Sequence, residues 1–328
     1  MSEQSSPKRR GRLFRCGAAF VALLAVAGYL VVQYVTGGSG GPGCKVVSGK
    51  GDGASYEFTP EQGVNAATIT AVGTARGLPE RAVTIALATA LQESALRNIS
   101  YGDRDSLGLF QQRPSQGWGT PKEIMDPAYS AGEFYDHLVK VPGYTRLPLT
   151  VAAQRVQRSG FPQAYAKHEP DAALLAAALT GQSAATLTCE GRPAATRASG
   201  PGGVRAALVR DFGRDVLEPA GAAVDGSSAA TPTPSPSASD GSGGRTVTLP
   251  VSADTPSAGG RSLDQRGWQL AHWAVANASE LHIARVTYAG REWVAGNTAS
   301  QWREPSAKGT AGAERNADAD AVRIVTMR

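Results

Sequence analysis

The feature that most restricts this chain is an uncharged stretch near its start, Gly17 to Val35, with the sequence GAAFVALLAVAGYLVVQYV. Its 19 residues come close to the ~20 that a helix needs to cross a bilayer. Basic residues precede it: Lys8, Arg9, Arg10, Arg12 and Arg15. Positive charge beside a first apolar segment stays in the cytoplasm. We therefore predict a cytoplasmic tail at 1–16, a single transmembrane anchor at 17–35, and export of everything that follows.

A cleaved signal peptide is the alternative, because AVA at Ala25 to Ala27 resembles a cleavage site. The apolar run continues for eight residues past that site, which suits an anchor better. The cytoplasmic membrane is accordingly an expected partner.

Charge argues against nucleic acid as a partner. Residues 1–35 carry five bases and one acid, so four of the chain's five net positive charges lie there and the remainder is nearly neutral. Nucleic-acid binding needs a dense basic face.

Metal, cofactor and serine-hydrolase chemistry also lack a sequence basis. The four histidines, His137, His168, His272 and His282, show no paired spacing, and neither HExxH nor CxxC occurs. GxSxG and Walker-type motifs are absent too. A heavy-metal transporter is disfavoured, since the single predicted span holds no acid or histidine that could form a pathway. We expect no metal and no cofactor.

Two of the three cysteines, Cys44 and Cys189, fall in the exported part, where disulfides persist. We predict that they pair, the alternative being two free thiols. Cys16 lies at the predicted membrane edge.

Composition divides the exported part into segments. A glycine-rich spacer covers 36–58, a main segment 59–192, a helical extension 193–218, a Pro/Ser/Gly-rich linker 219–262, and a small α+β tail domain 263–328. We expect the linker to be disordered. The tail holds four of the five tryptophans, for which core packing is favoured over a wall-binding face.

The main segment is predicted to be mostly helical. Thr59, Pro60, Glu61 and Gln62 form a capping box that opens a helix ending near Gly77. A second helix starts near Pro79, and its apolar body, RAVTIALATAL, indicates burial. Further helices follow, and only the polar loop around 99–120 looks able to hold short strands.

Glu93 stands at the far end of that second helix. Burial and the negative end of the helix dipole both disfavour its charged form, so its pKa should rise. A carboxylic acid that stays protonated near neutral pH can donate a proton to a glycosidic oxygen. The alternative is an ordinary solvated glutamate at a helix end.

The spacing around Glu93 carries a resemblance. Glu93-Ser94, followed at +15 to +18 by Gly108-Leu109-Phe110-Gln111, resembles the Glu-Ser and Gly-Leu-Met-Gln pattern of soluble lytic transglycosylases. GDRDSLGLFQ (Gly102 to Gln111) is similar to the corresponding loop of goose-type lysozymes, with one residue fewer. The resemblance covers roughly 59–190, and it implies a lysozyme-like fold and a peptidoglycan-cleaving domain.

The resemblance also suggests roles for other side chains. Asp103 and Asp105 are the candidates for the second carboxylate of a hydrolase, and Asp103 falls where the goose-type loop has its acid. Turn formation is the alternative for both, and for Asp105 it is at least as strong. Gln111 resembles the glutamine that lines the cleft. Tyr165, within VQRSGFPQAY, would stand in for a missing Tyr-Asn-x-Gly element. Trp118, between two glycines, would offer its face to a sugar ring or else pack in the core.

These expectations describe a membrane-anchored enzyme that faces the cell wall and cleaves peptidoglycan glycan strands, with Glu93 as general acid. A lytic transglycosylase is slightly favoured over a muramidase, because no aspartate position is secure. A non-catalytic glycan-binding or scaffold protein is the alternative, and the missing Tyr-Asn-x-Gly element speaks for it.

Overall fold

The computed structural model describes residues 43–159, 163–195, 200–217, 244–251, 261–296, 301–304 and 321–328. The chain divides into two units, Met1–Gly41 and Pro42–Arg328. The predicted anchor at 17–35 lies outside the described residues. Among the helices that are described, none is both long and apolar enough to cross a bilayer.

The second unit is α+β, as predicted, with eight α-helices and two small sheets in its described residues. The α-helices are α1 (Pro60–Ala75), α2 (Glu80–Ser94), α3 (Pro121–Ile124), α4 (Pro127–Leu138), α5 (Leu149–Gln157), α6 (Glu169–Leu179), α7 (Gly200–Phe212) and α8 (Leu263–Ala276). Short 3-10 helices cover Pro114–Gln116, Ala166–His168 and Arg214–Leu217.

The first two helices begin and end where the sequence predicts. Thr59 caps α1 through the capping box with Gln62, which satisfies backbone N–H groups that the first turn leaves without partners. Helix α2 starts directly after Pro79 and ends at Ala95, whose φ of 53° is left-handed. The body of α2 is buried against α1, α4, α5 and α6, so its C-terminal end is held in the interior of the helical segment.

A three-stranded antiparallel sheet adjoins these helices. Its strands are β1 (Cys44–Val47), β2 (Ser55–Phe58) and β3 (Leu187–Cys189), in the order β2-β1-β3. Cys44 lies opposite Cys189, and the two form the predicted disulfide. The expectation that only the 99–120 loop of the main segment could hold strands is wrong, because β3 lies near the end of that segment, and β1 and β2 lie in the predicted spacer. The loop itself contains one isolated bridge, Leu107 to Gln112.

The second sheet has the order β4-β7-β5-β6 and is antiparallel. Its strands are β4 (Thr246–Pro250), β5 (Ile283–Tyr288), β6 (Arg291–Val294) and β7 (Ala321–Thr326). Strand β4 lies inside the predicted disordered linker, and that part of the prediction is wrong: Val247 and Leu249 are buried against the sheet. Pairing with β7, more than 70 residues away, orders a segment whose local composition is loop-like.

The tail packs directly on the helical segment through its tryptophans. Trp268, Trp273, Trp293 and Trp302 are all at most 7% exposed, as the core-packing interpretation predicted. Trp293 Nε1 donates to the Cys189 carbonyl at 3.0 Å, and Trp302 Nε1 donates to the Leu187 carbonyl at 2.9 Å. Buried indole N–H groups need such acceptors, so β3 and the tail satisfy each other.

A buried carboxylate ties the tail helix α8 to α1 and α7. The side chain of Asp211 is 0% exposed and bonds Arg210 Nε at 2.7 Å. Its Oδ2 also accepts from Trp273 Nε1 at 2.8 Å and from Thr68 Oγ1 at 3.2 Å. Because each donor comes from a different helix, this one charge fixes three helices relative to one another.

Candidate functional site

Glu93 occupies the penultimate position of α2 and is partly buried. The Tyr165 hydroxyl, from the turn before α6, donates a hydrogen bond of 2.7 Å to Glu93 Oε1. Tyr165 is itself 0% exposed, so its ring closes one side of the carboxyl group. The structure therefore brings together two residues that the sequence placed in the site from separate motifs.

The surroundings of Glu93 favour its neutral form. Burial raises its pKa above the ordinary value, while hydrogen bonds from Tyr165 and Gln157 act in the opposite direction. The pKa of Tyr165 is also raised, first by burial and then by the neighbouring carboxylate, so its hydroxyl keeps the proton that it donates. The carboxyl group is thus poised to release a proton and is stabilised once it has done so.

The polar loop after α2 is fixed to the end of that helix. Ser94 Oγ donates to the Leu109 carbonyl at 2.8 Å, and Gly108 N donates to the Ile99 carbonyl at 2.8 Å. Gly108 has a φ of +76°, and an added Cβ would lie 2.7 Å from the Ile124 carbonyl oxygen, so only glycine fits there. The Gly-Leu-Phe-Gln motif therefore holds the loop against the helix that carries Glu93.

A cleft of about 260 Å³ opens beside this loop. Among the residues that line it are Gln111, Trp118, His137, Arg155, Gln157 and Arg158. Gln157 both lines the cleft and bonds Glu93, so the cleft wall reaches the carboxyl group. This connection makes the cleft the candidate binding site for a substrate of Glu93.

Two residues predicted to contact a sugar, Gln111 and Trp118, lie in this cleft wall. Trp118 is partly buried and lies against the ring of His137, with centroids 4.2 Å apart and planes at 33°. It also packs against the core, as the second interpretation of this side chain expected. Gln111 has a left-handed φ of 49° and its Nε2 donates to the Gly108 carbonyl at 3.2 Å.

The two candidate aspartates have different surroundings. Asp103 is exposed over 94% of its side chain, with Arg104 Nε 4.0 Å away, and no hydrogen bond or ion pair of the described residues joins it to Glu93. Asp105 pairs with Arg113 Nε at 2.9 Å and accepts from Ser115 N at 2.9 Å. The Arg113 guanidinium, followed by Ser115, holds the pKa of Asp105 well below its usual range. Asp105 is thus a loop-forming residue.

The sequence interpretation missed most of the cleft wall, including Arg155 and Arg158, and two of the missed residues contact other side chains of the site. Gln157 Nε2 donates to the Phe110 carbonyl at 2.7 Å and reaches Glu93 from the end of α5. His137 was considered only as a metal ligand, whereas it supports Trp118. Neither belongs to the motif around Glu93, so only the packing of α4 and α5 against α2 reveals them.

No group of three or more His, Cys, Asp or Glu side chains in the described part of the chain is arranged to hold a metal ion. His272 is fully buried, its Nδ1 lies 2.7 Å from the Ala178 carbonyl, and burial lowers its pKa to about 4. His168 Nε2 lies 3.2 Å from Gln92 Oε1.

Comparison with known proteins gives one family match. Residues 206–315 are similar to the family described as VldE, C-terminal domain. The matched stretch covers about a third of the chain and begins after the last residue of the Glu93 site. No curated protein matches the chain.

Proposed function

We propose that this protein cleaves the glycan strands of peptidoglycan, with Glu93 as the general acid, and that its helical segment is a lysozyme-like domain. The observation that carries the proposal is the partly buried Glu93 carboxyl, which is bonded by Tyr165 and by Gln157, a residue of the cleft wall. The sequence resemblance to lytic transglycosylases selects the substrate. The raised pKa of Glu93 supplies the chemistry, since a glycosidic oxygen leaves only when it is protonated.

The first chemical step is proton transfer. Protonated Glu93 donates to the oxygen that links two amino sugars, and the bond from C1 of the sugar to that oxygen breaks. The carboxylate that results keeps the hydrogen bond from Tyr165, which is stronger to a charged acceptor than to a neutral one. Tyr165 thereby stabilises the product of proton transfer more than the starting acid.

The second step distinguishes a transglycosylase from a hydrolase. An inverting hydrolase needs a second carboxylate roughly 6.5 to 9.5 Å from the first to activate water. Asp105 is engaged with Arg113, Asp103 is exposed, and no carboxylate contributes to the pKa shift of Glu93. We therefore favour a transglycosylase, in which Glu93 takes the proton from the sugar's own 6-hydroxyl, whose oxygen then bonds to C1 and forms an anhydro ring.

The proposal includes the place where the enzyme acts, outside the cytoplasmic membrane and held by the predicted anchor at 17–35. The Cys44–Cys189 disulfide supports an exported domain, because such bonds persist in oxidising compartments. Membrane fractionation tests the anchor, and protease digestion of intact cells tests the side on which the domain lies. Recovery of the chain in the soluble cytoplasmic fraction would contradict this part.

The decisive experiment compares the unmodified chain with Glu93→Gln on purified peptidoglycan. We expect the unmodified chain to release muropeptides lighter by one water than the hydrolytic products, as read by mass spectrometry, and the variant to release none. Asp103→Asn is the matched control, and it should keep the activity if no second carboxylate is needed. Binding by both proteins without release by either would identify a non-catalytic glycan-binding protein instead.

A further inference from the structure

The cleft beside Glu93 is positively charged. Three arginines, Arg113, Arg155 and Arg158, contribute to its wall, and no aspartate or glutamate does. Arg113 is neutralised by Asp105 at 2.9 Å. Arg155 and Arg158 are exposed, and within the described residues neither guanidinium forms an ion pair. Two arginine charges therefore face the cleft without a protein counter-charge.

The rest of the wall is polar and neutral, so the two arginine charges dominate the electrostatic potential in the cleft. Gln111, Gln116 and Gln157 contribute amide groups, and Trp118 contributes an aromatic face. Glu133 and Asp136 on α4 act on His137 but do not line the cleft, and Asp136 is paired with Arg76 at 2.7 Å. An anion is the ligand that this arrangement fits.

We propose that the cleft recognises a carboxylate carried by the glycan strand, through Arg155 and Arg158. The inference rests on the proposed function, because the ring that enters the cleft must also reach Glu93. Amides and an indole face suit a neutral sugar ring, while planar guanidinium groups suit a carboxylate attached to it. The substrate class is thus an acidic glycan, not a neutral amino-sugar polymer.

On a peptidoglycan strand this carboxylate has two sources. It is the free lactyl carboxylate of muramic acid where the stem peptide has been removed, or a carboxylate of the stem peptide where it remains. In the first case, a reaction that hydrolyses the amide between glycan and peptide must act before this enzyme. The two cases share one chemistry in the cleft and are separated by the ligands used.

Binding by the full chain carrying Glu93→Gln tests the inference without consuming the ligand. The probes are a peptide-free tetrasaccharide of alternating amino sugars with free lactyl carboxylates, the same compound with those carboxylates converted to methyl amides, and the same compound with stem peptides. Exposed ion pairs each make a small contribution to affinity, and the cleft offers two. We therefore expect a charged probe to bind about tenfold more tightly than the amide, a preference that 1 M salt reduces.

The same measurement with Arg155→Gln and Arg158→Gln together should abolish the preference for charge, whereas Arg146→Gln, an exposed arginine outside the cleft wall, should retain it. Equal binding of charged and amidated probes by the parent overturns the inference, and this comparison decides it even if the double variant does not fold. A double variant that still discriminates also overturns it. Cleavage of peptidoglycan without discrimination leaves the proposed function intact, so the two failures are distinct.

Discussion

Removing the Cys44–Cys189 disulfide should cost a large part of the stability of the 42–328 unit. The bond joins residues 145 apart in sequence. Closing a loop of that length lowers the entropy of the unfolded chain, which stabilises the fold by about 5 kcal/mol at 25 °C. Small domains are typically stable by only about 5–15 kcal/mol in total. The figure is an upper value, since any structure that persists in the unfolded chain reduces the entropy that the bond removes.

Urea unfolding followed by tryptophan fluorescence measures this effect, since four of the five tryptophans are buried near β3 or α8. In the variant with Cys44→Ala and Cys189→Ala, the midpoint should fall, and the slope of unfolding free energy against urea should rise because the unfolded chain is no longer cross-linked. Cys16→Ala is the control and should change neither quantity. An unchanged midpoint and slope in the double variant would refute the argument.

Three further predictions concern single side chains. Tyr165→Phe removes a hydrogen bond that lowers the pKa of Glu93, so that pKa should rise further. The alkaline limb of the pH profile of kcat/KM should then move to higher pH. Movement to lower pH would count against Glu93 as the acid. Glu93→Gln should stabilise the fold at pH 7. The pKa of the buried Glu93 is raised, so the fold loses stability as the pH rises through that pKa and the carboxyl ionises, whereas glutamine stays neutral. Urea titrations should therefore show the gain at pH 7 and none below pH 4.5, the ordinary pKa of the side chain. Asp211→Ala leaves Arg210 and the indole of Trp273 without their acceptor. It should destabilise the fold by about 3 kcal/mol, as measured by thermal unfolding. The control is Asp215→Ala, which removes an exposed acid nearby.

Local sequence signals predicted the helices well. The capping box at Thr59 and the proline at Pro79 depend on residues within one or two turns, and the structure confirms both helix starts. Strands β1, β3 and β4 were missed because they pair with distant parts of the chain. Strand β1 has only four residues and is ordered by β2 and by β3, which lies more than 140 residues away.

The candidate site was predictable only where it lies in one motif. Glu93, Ser94 and the Gly108 turn lie close together in sequence, and their spacing carried the resemblance; the structure adds the contact between helix and loop through Ser94. The side chain of Gln157 reaches the carboxyl group from another helix, and its spacing in sequence gives no sign of that contact. The environment of Asp103 could not be read from its alignment with a goose-type loop, because exposure depends on how the loop folds back on α2.

The hydrogen bonds that two tail tryptophans donate to β3 have a consequence for solubility. In the described part of the first sheet β3 is an edge strand, and edge strands with open carbonyl groups recruit strands of other molecules. Trp293 donates to the Cys189 carbonyl of that edge and Trp302 to the Leu187 carbonyl. The tail therefore covers the edge and protects it from self-association. A chain shortened before residue 263 would expose this edge to pairing with other molecules.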